Sequence, residues 1–262
     1  MPPRPRATPA DHDLAAAVVT AVAERLPQLR AQLVAEGEPP SRLGAAGDAE
    51  AQRIIAAVLQ QRPAGDAVLS EEAADDPVRL GATRVWIIDP LDGTREFSEA
   101  GRDDWAVHAA LCIDGSPVAA AVALPALSEV HRADRVAPLR PLPADRDLRM
   151  VVSRTRPPAI AGEVAAAMGA ATVPMGSAGA KVMAVVRGEA EVYLHAGGQS
   201  EWDSCAPVGV AVAAGLHASR LDGTPLVYNQ AVPRLDDLVV CRAELADRVL
   251  ECIADAGWTP GG

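Results

Sequence analysis

The chain has 262 residues, of which 49% are hydrophobic and only 3% aromatic. This length and apolar content allow one large domain, or two halves with a shared interface, around a core of Ala, Val, Leu and Ile. The formal charge of −11 at pH 7 argues against a protein that coats nucleic acid, because displacing phosphate counterions requires a basic surface. It equally disfavours binding to an anionic membrane.

A membrane span and a secretory signal are not expected in this sequence. No apolar run approaches the roughly 18 residues that a span needs, and residues 1–6 are followed by polar residues before any apolar run. The four cysteines, at positions 112, 205, 241 and 252, show neither CxxC nor zinc-ligand spacing. We therefore expect reduced core thiols in a cytoplasmic protein that binds neither membrane nor nucleic acid.

The first predicted elements are helical. Apolar residues at three-to-four-residue spacing predict an amphipathic helix over residues 11–36, after an aspartate cap. A second helix is predicted from Asp48 to about residue 61. A short strand, residues 67–69, then ends at Ser70-Glu71-Glu72.

A buried strand and a hairpin follow. Residues 85–89 (VWIID) predict a strand, after which the chain turns through PLDGT. Two further β-rich runs, residues 105–113 and 117–124, flank Asp114-Gly115, a dipeptide typical of a hairpin turn.

The remainder of the chain alternates between strands and helices. A segment rich in proline and charge, residues 137–147, predicts a boundary between an N-terminal half, 1–145, and a C-terminal half, 146–262. The predicted strands of the C-terminal half are 149–153, 171–174, 190–194 and 238–242, and its predicted helices are 159–168, 178–186, 205–214 and 243–256. This alternation favours a layered α/β half, joined to an N-terminal half of helices packed on a more antiparallel sheet.

Three pairs of acidic residues each follow an apolar strand: Glu71 with Glu72, Asp89 with Asp92, and Glu201 with Asp203. Ligands gather at strand ends in layered α/β folds, and carboxylates that meet there without a partner repel one another. Oxygen ligands without His or Cys indicate Mg²⁺, and Mg²⁺ in turn indicates phosphate. The alternative is that Asp-Pro and Asp-Gly are ordinary turn formers, but three such pairs in one chain weigh against it.

These residues carry a family resemblance. Glu71-Glu72, the run WIIDPLDGT over residues 86–94, and Trp202-Asp203 together resemble the signature of the inositol monophosphatase superfamily of Mg²⁺-dependent, lithium-sensitive phosphatases. The resemblance spans nearly the whole chain in the right order. It implies an α/β sandwich of alternating α/β/α/β/α layers, as in the inositol monophosphatase and fructose-1,6-bisphosphatase folds.

Further residues are similar to the CysQ-type branch, whose members act on 3′-phosphoadenosine 5′-phosphate. They are Arg95-Glu96-Phe97, the runs GRDDW at 101–105 and GSAGAK at 176–181, Ser153-Arg154, and Glu201 before the Trp-Asp pair. Inositol-selective members carry a glutamate seven positions before the Trp-Asp aspartate, where this chain has Ala196. The resemblance therefore makes inositol phosphate a less favoured substrate.

The resemblance also implies a two-metal mechanism. Glu71, Asp89 and the Leu91 carbonyl would hold one Mg²⁺, and Asp89, Asp92 and Asp203 a second, with a third, weakly held ion compatible with Glu71 and Glu72. Water activated by the two metals would be the nucleophile. Thr94 and Asp48 match a family pair that orients this water, although an aspartate at a helix start is commonly only an N-cap. Catalytic roles are accordingly expected for Asp48, Thr94 and Glu71.

The predicted substrate-binding residues combine a phosphate cradle with a nucleotide pocket: Leu91, Asp92, Gly93, Thr94, Arg95, Ser153, Arg154, Gly176, Ser177, Lys181 and Asp203. Gly93 lets backbone N–H groups approach a phosphate closely. Simpler interpretations remain open for the other positions. Gly176-Ser177 suits a helix N-terminus, Lys181 a solvated charge and Arg95 a surface salt bridge. Trp202, His108 and His195 are expected to be structural.

The resulting expectation is a Mg²⁺-dependent phosphatase that removes the 3′-phosphate of 3′-phosphoadenosine 5′-phosphate and acts in sulfate assimilation. Inositol-1-phosphate and fructose-1,6-bisphosphate are the alternative substrates. From a different class, a catalytically silent nucleotide-binding protein is disfavoured, because all the expected ligands and the Asp48 and Thr94 pair are present. A homodimer, usual in the wider family, is the expected assembly.

Overall fold

The computed structural model describes residues 6–143 and 145–259. Within these residues the chain forms seven α-helices and ten strands. The helices are α1 (Pro9–Ala35), α2 (Pro40–Val58), α3 (Thr94–Ser98), α4 (Ala159–Met168), α5 (Ala178–Val186), α6 (Cys205–Ala213) and α7 (Ala246–Asp255). The strands are β1 (Ala67–Ser70), β2 (Arg84–Asp92), β3 (Ala106–Ile113), β4 (Ser116–Leu124), β5 (Glu129–Arg132), β6 (Arg149–Ser153), β7 (Ala171–Met175), β8 (Val192–Ser200), β9 (His217–Ser219) and β10 (Arg234–Cys241).

The strands form two sheets of five. The first sheet has the order β1-β2-β3-β4-β5. Each pair of neighbouring strands in it is antiparallel, except β1 with β2, which are parallel. The second sheet has the order β7-β6-β8-β10-β9, in which β6 is parallel to both β7 and β8. The predicted contrast between a more antiparallel N-terminal sheet and an alternating C-terminal half is therefore confirmed.

Three hydrophobic cores separate five layers. One core joins α1 and α2 to the outer face of the first sheet, and another joins α4 and α7 to the outer face of the second sheet. The middle core packs α5 and α6 between the two sheets. The layer order is thus α/β/α/β/α, as predicted. Because the middle core draws on both sheets, each sheet needs the other to bury its inner face.

The two N-terminal helices begin differently from the prediction. Thr8, not an aspartate, caps α1, and Asp11 sits three positions into the helix, where it completes a capping box with Thr8. The second helix starts at Pro40, eight residues before Asp48, because proline suits a first helical position. Asp48 lies within this helix, so its interpretation as an N-cap is wrong.

Most predicted strands and helices of the rest of the chain are present within a few residues of their predicted bounds. The hairpin turn at Asp114 and Gly115 is confirmed, and both residues have the positive φ of a two-residue turn, 51° and 74°. The edge strands β5 and β9 were not predicted, and β8 extends to Ser200 rather than ending at residue 194.

The chain between β5 and β6 includes the predicted boundary at 137–147, and the division into halves 1–145 and 146–262 stays a prediction. All four cysteines are free, as expected. None of the helices in the described residues combines the length and the apolarity needed to cross a membrane.

Candidate active site

Two acidic side chains lie at the carboxyl ends of neighbouring strands. β1 and β2 are parallel, and Ser70 lies opposite Ile88 in their register. Glu71 and Asp89 follow directly, and the Glu71 amide donates to the Ile88 carbonyl at 3.3 Å. The charge of Glu71 is one of the causes that raise the pKa of Asp89, after burial and the charge of Asp92. Parallel pairing thus brings together two residues that are 18 positions apart in the sequence.

The turn between Asp89 and Asp92 ends the regular pairing of β2. The register with β3 shifts between these two residues, and Asp89 Oδ1 accepts a hydrogen bond from the Leu91 amide at 3.0 Å. Asp89 is fully buried, and its Oδ2 has no hydrogen-bond partner among the described residues. Because a buried oxygen without a partner is costly, this atom is suited to a cation.

Asp92 is held by the N-terminal end of α5. Its Oδ2 accepts from the Ser177 hydroxyl at 2.6 Å and from the Gly179 amide at 2.6 Å. Ser177 is also the N-cap of this helix, since its Oγ accepts from the Ala180 amide at 2.9 Å. The helix dipole adds favourable positive potential at this end. The interpretation of Ser177 as a helix N-terminus is therefore correct, and the same residue also contacts the acidic cluster.

His108 lies behind the two aspartates. One ligand atom from each of Asp89, Asp92 and His108 falls within 4.8 Å of the others. His108 Nδ1 is 3.1 Å from the Trp202 carbonyl oxygen, and because a carbonyl can only accept, Nδ1 carries the proton. Burial lowers the pKa of His108, so the ring is neutral. It connects β3 of the first sheet to the segment that precedes Asp203.

Asp203 enters the site from the second sheet. It ends a 3₁₀ turn after β8, and its Oδ2 accepts from the Ser200 amide at 2.7 Å. Glu201, in the same turn, points away from the acidic cluster. Its carboxylate accepts hydrogen bonds from the backbone amides of Asn229 and Gln230 at 2.6 and 2.8 Å. Of the third acidic pair in the sequence, only Asp203 faces the site.

The acidic residues shift one another's pKa values upward. Burial and the charge of Asp92 raise the pKa of Glu71 to about 7 and that of Asp203 to about 8. Burial, together with the charges of Asp92 and Glu71, raises the pKa of Asp89 well above its usual range. Four carboxyl groups in this geometry cannot all ionise without a counterion. Their hard oxygen donors and the unpartnered Asp89 Oδ2 fit a divalent cation such as Mg²⁺.

Thr94 and Asp48 form a pair beside this cluster. Thr94 Oγ1 is 3.2 Å from Asp48 Oδ1 and 3.2 Å from the Leu91 carbonyl oxygen, so its single proton can be donated to either acceptor. Burial and the charge of Glu72 raise the pKa of Asp48 to about 6, and the Thr94 hydrogen bond opposes this shift. The structure thus places the predicted pair in direct contact.

Gly93, which the sequence predicts to form a phosphate cradle, allows close packing between Asp92 and Thr94. Its φ of +89° disfavours any residue with a side chain. A Cβ at this position would also lie 3.0 Å from the Ser177 Cβ and 3.3 Å from the Trp105 Cβ. The backbone between Asp92 and Thr94 is therefore exposed to a ligand without an intervening side chain.

A cavity of about 460 Å³ adjoins the acidic cluster. The predicted substrate residues that line it are Asp92, Gly93, Thr94, Arg95, Ser153, Arg154, Gly176, Ser177, Lys181 and Asp203. Leu91 does not line the cavity. Its side chain is buried in the outer core of the first sheet, and only its carbonyl faces Thr94.

Two of the predicted cations are already engaged within the protein. Arg154 donates to Glu96 at 2.7 Å and to Glu99 at 2.5 Å. Lys181 is only 4% exposed, and its ammonium group donates to the carbonyls of Gly176 and Ser177. The interpretation of Lys181 as a solvated charge is therefore wrong, and its charge instead lowers the pKa of Asp203, against the larger effects of burial and Asp92.

Sequence reasoning did not single out three polar residues that line the cavity, namely Arg156, Gln199 and Arg234. They belong to no motif, and they meet only because the second sheet brings β6, β8 and β10 side by side. The sequence therefore carried no local signal that could have identified them.

Comparisons with known proteins place this geometry in a family. A model described as the inositol monophosphatase family matches residues 6–254. The 3′-phosphoadenosine 5′-phosphate phosphatase of Mycobacterium leprae (strain TN) is 51% identical over 258 residues, which cover 94% of either chain. The 3′-phosphoadenosine 5′-phosphate phosphatase of Mycobacterium bovis is 55% identical over 226 residues, covering 84% of this chain and 85% of the relative.

A solved structure shows the same fold. The crystal structure of CysQ from Bacteroides thetaiotaomicron, a bacterial member of the inositol monophosphatase family, superimposes with a TM-score of 0.75 at 25% sequence identity. The match covers 89% of this chain and 97% of that chain.

Proposed function

Because this chain belongs to the inositol monophosphatase family, whose members are metal-dependent phosphatases, we propose that it hydrolyses the 3′-phosphate of 3′-phosphoadenosine 5′-phosphate to AMP and phosphate. One structural observation carries the proposal. The cavity reaches the acidic cluster at one end, where Asp92 and Asp203 line it, and carries arginines along the rest of its wall. Such a cavity suits a substrate with two phosphate groups. The mycobacterial relatives that carry this activity in their names, 51% and 55% identical, support the same choice.

The acidic cluster would hold the metal ions. We propose Glu71, Asp89 and the Leu91 carbonyl as ligands of one Mg²⁺, and Asp89, Asp92 and Asp203 as ligands of a second. Asp89 would be shared, in keeping with its complete burial and unpartnered Oδ2. When bound, the two ions supply charge neutralisation for the phosphate and acidify a water molecule. A third ion near Glu71 and Glu72 is part of the same proposal.

The protein's own groups orient the reactants. Above about pH 6 Asp48 is ionised and accepts a hydrogen bond from the Thr94 hydroxyl. This bond orients the hydroxyl so that an oxygen lone pair is free to accept a hydrogen bond from the attacking water. Gly93 lines the cavity beside Thr94, and its backbone N–H would meet a phosphate oxygen without an intervening side chain. The α5 N-terminus keeps Asp92 in place through the Ser177 and Gly179 donors.

The alternative substrates make fewer of these contacts. Inositol-1-phosphate has one phosphate, and the residue expected to contact inositol hydroxyls is Ala196. Fructose-1,6-bisphosphate has two phosphates but no base. A silent nucleotide-binding protein would not need the contact between Asp48 and Thr94 that this chain keeps.

Substrate preference tests the proposal directly. We expect kcat/KM for 3′-phosphoadenosine 5′-phosphate to exceed that for inositol-1-phosphate at least tenfold, about 1.4 kcal/mol of transition-state discrimination. The physical reason is that charge-assisted hydrogen bonds to a second phosphate contribute ~1.5–3 kcal/mol each. Phosphate release in saturating Mg²⁺ is measured for both substrates and for fructose-1,6-bisphosphate. Equal constants, or a preference for inositol-1-phosphate, would contradict the nucleotide assignment and leave the metal chemistry untouched.

Thermal unfolding tests the metal site. In the metal-free protein Glu71 and Asp203 have pKa values of about 7 and 8, whereas unfolded carboxyl groups titrate near pH ~4. These groups therefore favour folding fully at pH values below about 4, and that contribution is lost as the pH rises through about 7 to 8. Because Mg²⁺ replaces the protons, the rise in Tm that it causes should be larger at pH 8.5 than at pH 6.

The expected size follows from mass action. At a hundredfold excess over Kd, Mg²⁺ contributes about 2.7 kcal/mol, which corresponds to roughly 5–10 °C for a chain of this length. Melting curves are compared in chelator and in Mg²⁺ at both pH values, with Na⁺ at equal ionic strength as the control. A Tm that Mg²⁺ leaves unchanged at pH 8.5 would show that these carboxylates do not converge on a cation.

The proposal extends to the setting of the enzyme. We propose that it clears 3′-phosphoadenosine 5′-phosphate, an inhibitory by-product of sulfate assimilation, in the cytoplasm, and that lithium inhibits it as in its family. The four free thiols support a reducing compartment. A homodimer remains our expectation for the assembly, to be tested by sedimentation.

A further inference from the structure

Two arginines meet at one edge of the second sheet. β6 and β8 are parallel, so their carboxyl ends lie at the same edge, and β10 begins there because it is antiparallel to β8. Arg156 follows β6 by three residues, and Arg234 is the first residue of β10, opposite Ser200. Both line the cavity that also contains Asp92 and Asp203. Strand topology alone therefore brings two remote cations to one wall.

These two arginines differ from Arg154 and Lys181, which line the same cavity, in their availability. Arg154 is neutralised by two glutamates, and Lys181 is bonded to backbone carbonyls. In the described residues the Arg156 side chain forms no ion pair. Arg234 forms one ion pair, with Asp236 at 3.5 Å, and one long hydrogen bond, to the Gly197 carbonyl at 3.5 Å. The side chains of Arg234 and Asp236 are 59% and 61% exposed. An exposed pair of this kind is weak, so the guanidinium groups of Arg156 and Arg234 remain available to an anion.

The backbone of β8 is shaped around Arg234. Gly197 and Gly198 have φ values of +106° and +84° and interrupt the register with β10 between Ala196 and Gln199. The Arg234 guanidinium lies against Gly198, and a Cβ at that position would overlap it. A side chain at residue 198 would therefore displace the guanidinium from the cavity wall.

Neighbouring polar groups point to the same place. The Gln199 side chain lines the cavity, and its Nε2 is buried with no hydrogen-bond partner among the described residues. His195, on β8, lines the same cavity as Arg156, and burial lowers the pKa of its ring. Donors from three strands, one of them unsatisfied, thus converge on one volume.

We infer that Arg156 and Arg234, with the Gln199 amide, form a second anion subsite that binds the 5′-phosphate of the substrate while its 3′-phosphate occupies the acidic end. This inference rests on the proposed function. Planar guanidinium groups bind phosphate through two parallel hydrogen bonds, and two of them suit the charge of a phosphate monoester. The subsite distinguishes nucleoside bisphosphates from monophosphates.

Two substrates that differ in a single group provide the test. 3′-Phosphoadenosine 5′-phosphate and adenosine 3′-phosphate differ only in the 5′-phosphate. The ratio of their kcat/KM values therefore measures what the subsite contributes to the reaction of the bisphosphate. We expect a ratio of at least ten for the wild type. The double variant Arg156→Ala, Arg234→Ala should reduce this ratio at least tenfold, mainly through a higher KM for the bisphosphate. The control is Arg135→Ala, which removes an arginine whose side chain is 69% exposed and does not line the cavity.

Binding supplies a readout without turnover. The double variant should bind AMP, which carries only the 5′-phosphate, at least tenfold more weakly than the wild type by calorimetry, and Lys at both positions should restore part of the affinity. A wild type that hydrolyses both adenosine substrates equally would overturn the subsite. If it still preferred the bisphosphate to inositol-1-phosphate, the proposed function would stand. Equal losses on both substrates in the double variant would also overturn the inference, because the arginines would then act at the hydrolytic end.

Discussion

Replacing Asp89 by asparagine is expected to lower kcat at least hundredfold, about 2.7 kcal/mol, while the fold is retained. Asp89 is fully buried at the end of β2, next to Glu71 and Asp92, and its Oδ2 has no partner among the described residues. An amide keeps the shape of the side chain but removes the charge that both metal ions would share. The measurement is kcat in saturating Mg²⁺ with 3′-phosphoadenosine 5′-phosphate.

Melting curves of the same variant separate lost chemistry from lost structure. In chelator, Asp89→Asn should melt no lower than the wild type, because one buried acid of a repelling cluster is removed. The rise in Tm on adding Mg²⁺ should shrink. Asp13→Asn, at a position with a 65% exposed side chain, is the matched control and should behave as the wild type. If Asp89→Asn retained more than a tenth of the wild-type kcat, the assignment of a shared metal ligand would be wrong.

Gly179→Ala is expected to have the largest effect on stability. A Cβ at Gly179 would overlap His108 Nε2 and lie 3.0 Å from the Ala106 Cβ. His108 is fully buried between Asp92 and the Trp202 carbonyl, so it cannot move aside. Overpacking of this kind costs about 1–3 kcal/mol, roughly 3–10 °C in Tm. Displacement of α5 should also lower kcat at least tenfold, because the Gly179 amide donates a hydrogen bond that holds Asp92 in place.

A second glycine of the chain gives the control. Gly162 also lies within a helix, α4, but a Cβ there would meet nothing within 4 Å. Gly162→Ala should therefore leave activity intact and stabilise the protein by about 0.5–1 kcal/mol, the usual difference in helix propensity. Equal melting temperatures for the two variants would show that α5 and His108 are not closely packed.

The acidic cluster could be predicted because its residues sit in short contiguous motifs. Asp89 and Asp92 lie in one turn, and Glu71 directly follows β1, so local patterns placed them at strand ends that the sheet then brings together. The layered α/β character of the C-terminal half was likewise predictable from the alternation of elements after residue 146, whereas the five-layer order was implied by the family resemblance. The hairpin at Asp114-Gly115 needed only the turn chemistry of two residues.

Other features depend on contacts between distant segments. The start of α2 was placed at Asp48, eight residues too late, although Gly44 and Gly47 belong to the helix. They are required inside the helix, since a Cβ at either would lie 2.8 Å from the Thr94 or Leu91 side chain. The sequence also did not predict that Arg154 forms ion pairs with Glu96 and Glu99, or that Arg156 forms none in the described residues. Ion pairs between residues 55 or more positions apart leave no pattern in the sequence.

The two sheets contribute different parts of the cavity. Asp92, Gly93 and Thr94 line the cavity from the end of the first sheet, whereas most of the opposite wall follows β6 and β8 or begins β10. Apart from Asp203, which follows β8 and belongs to the acidic cluster, substitutions in these second-sheet segments can therefore alter which ester is accepted without disturbing the groups that cleave it. Selection for a new substrate could act on a handful of loop positions while the hydrolytic residues stay constant, and this separation would let one ancestral catalyst give rise to enzymes of different specificity.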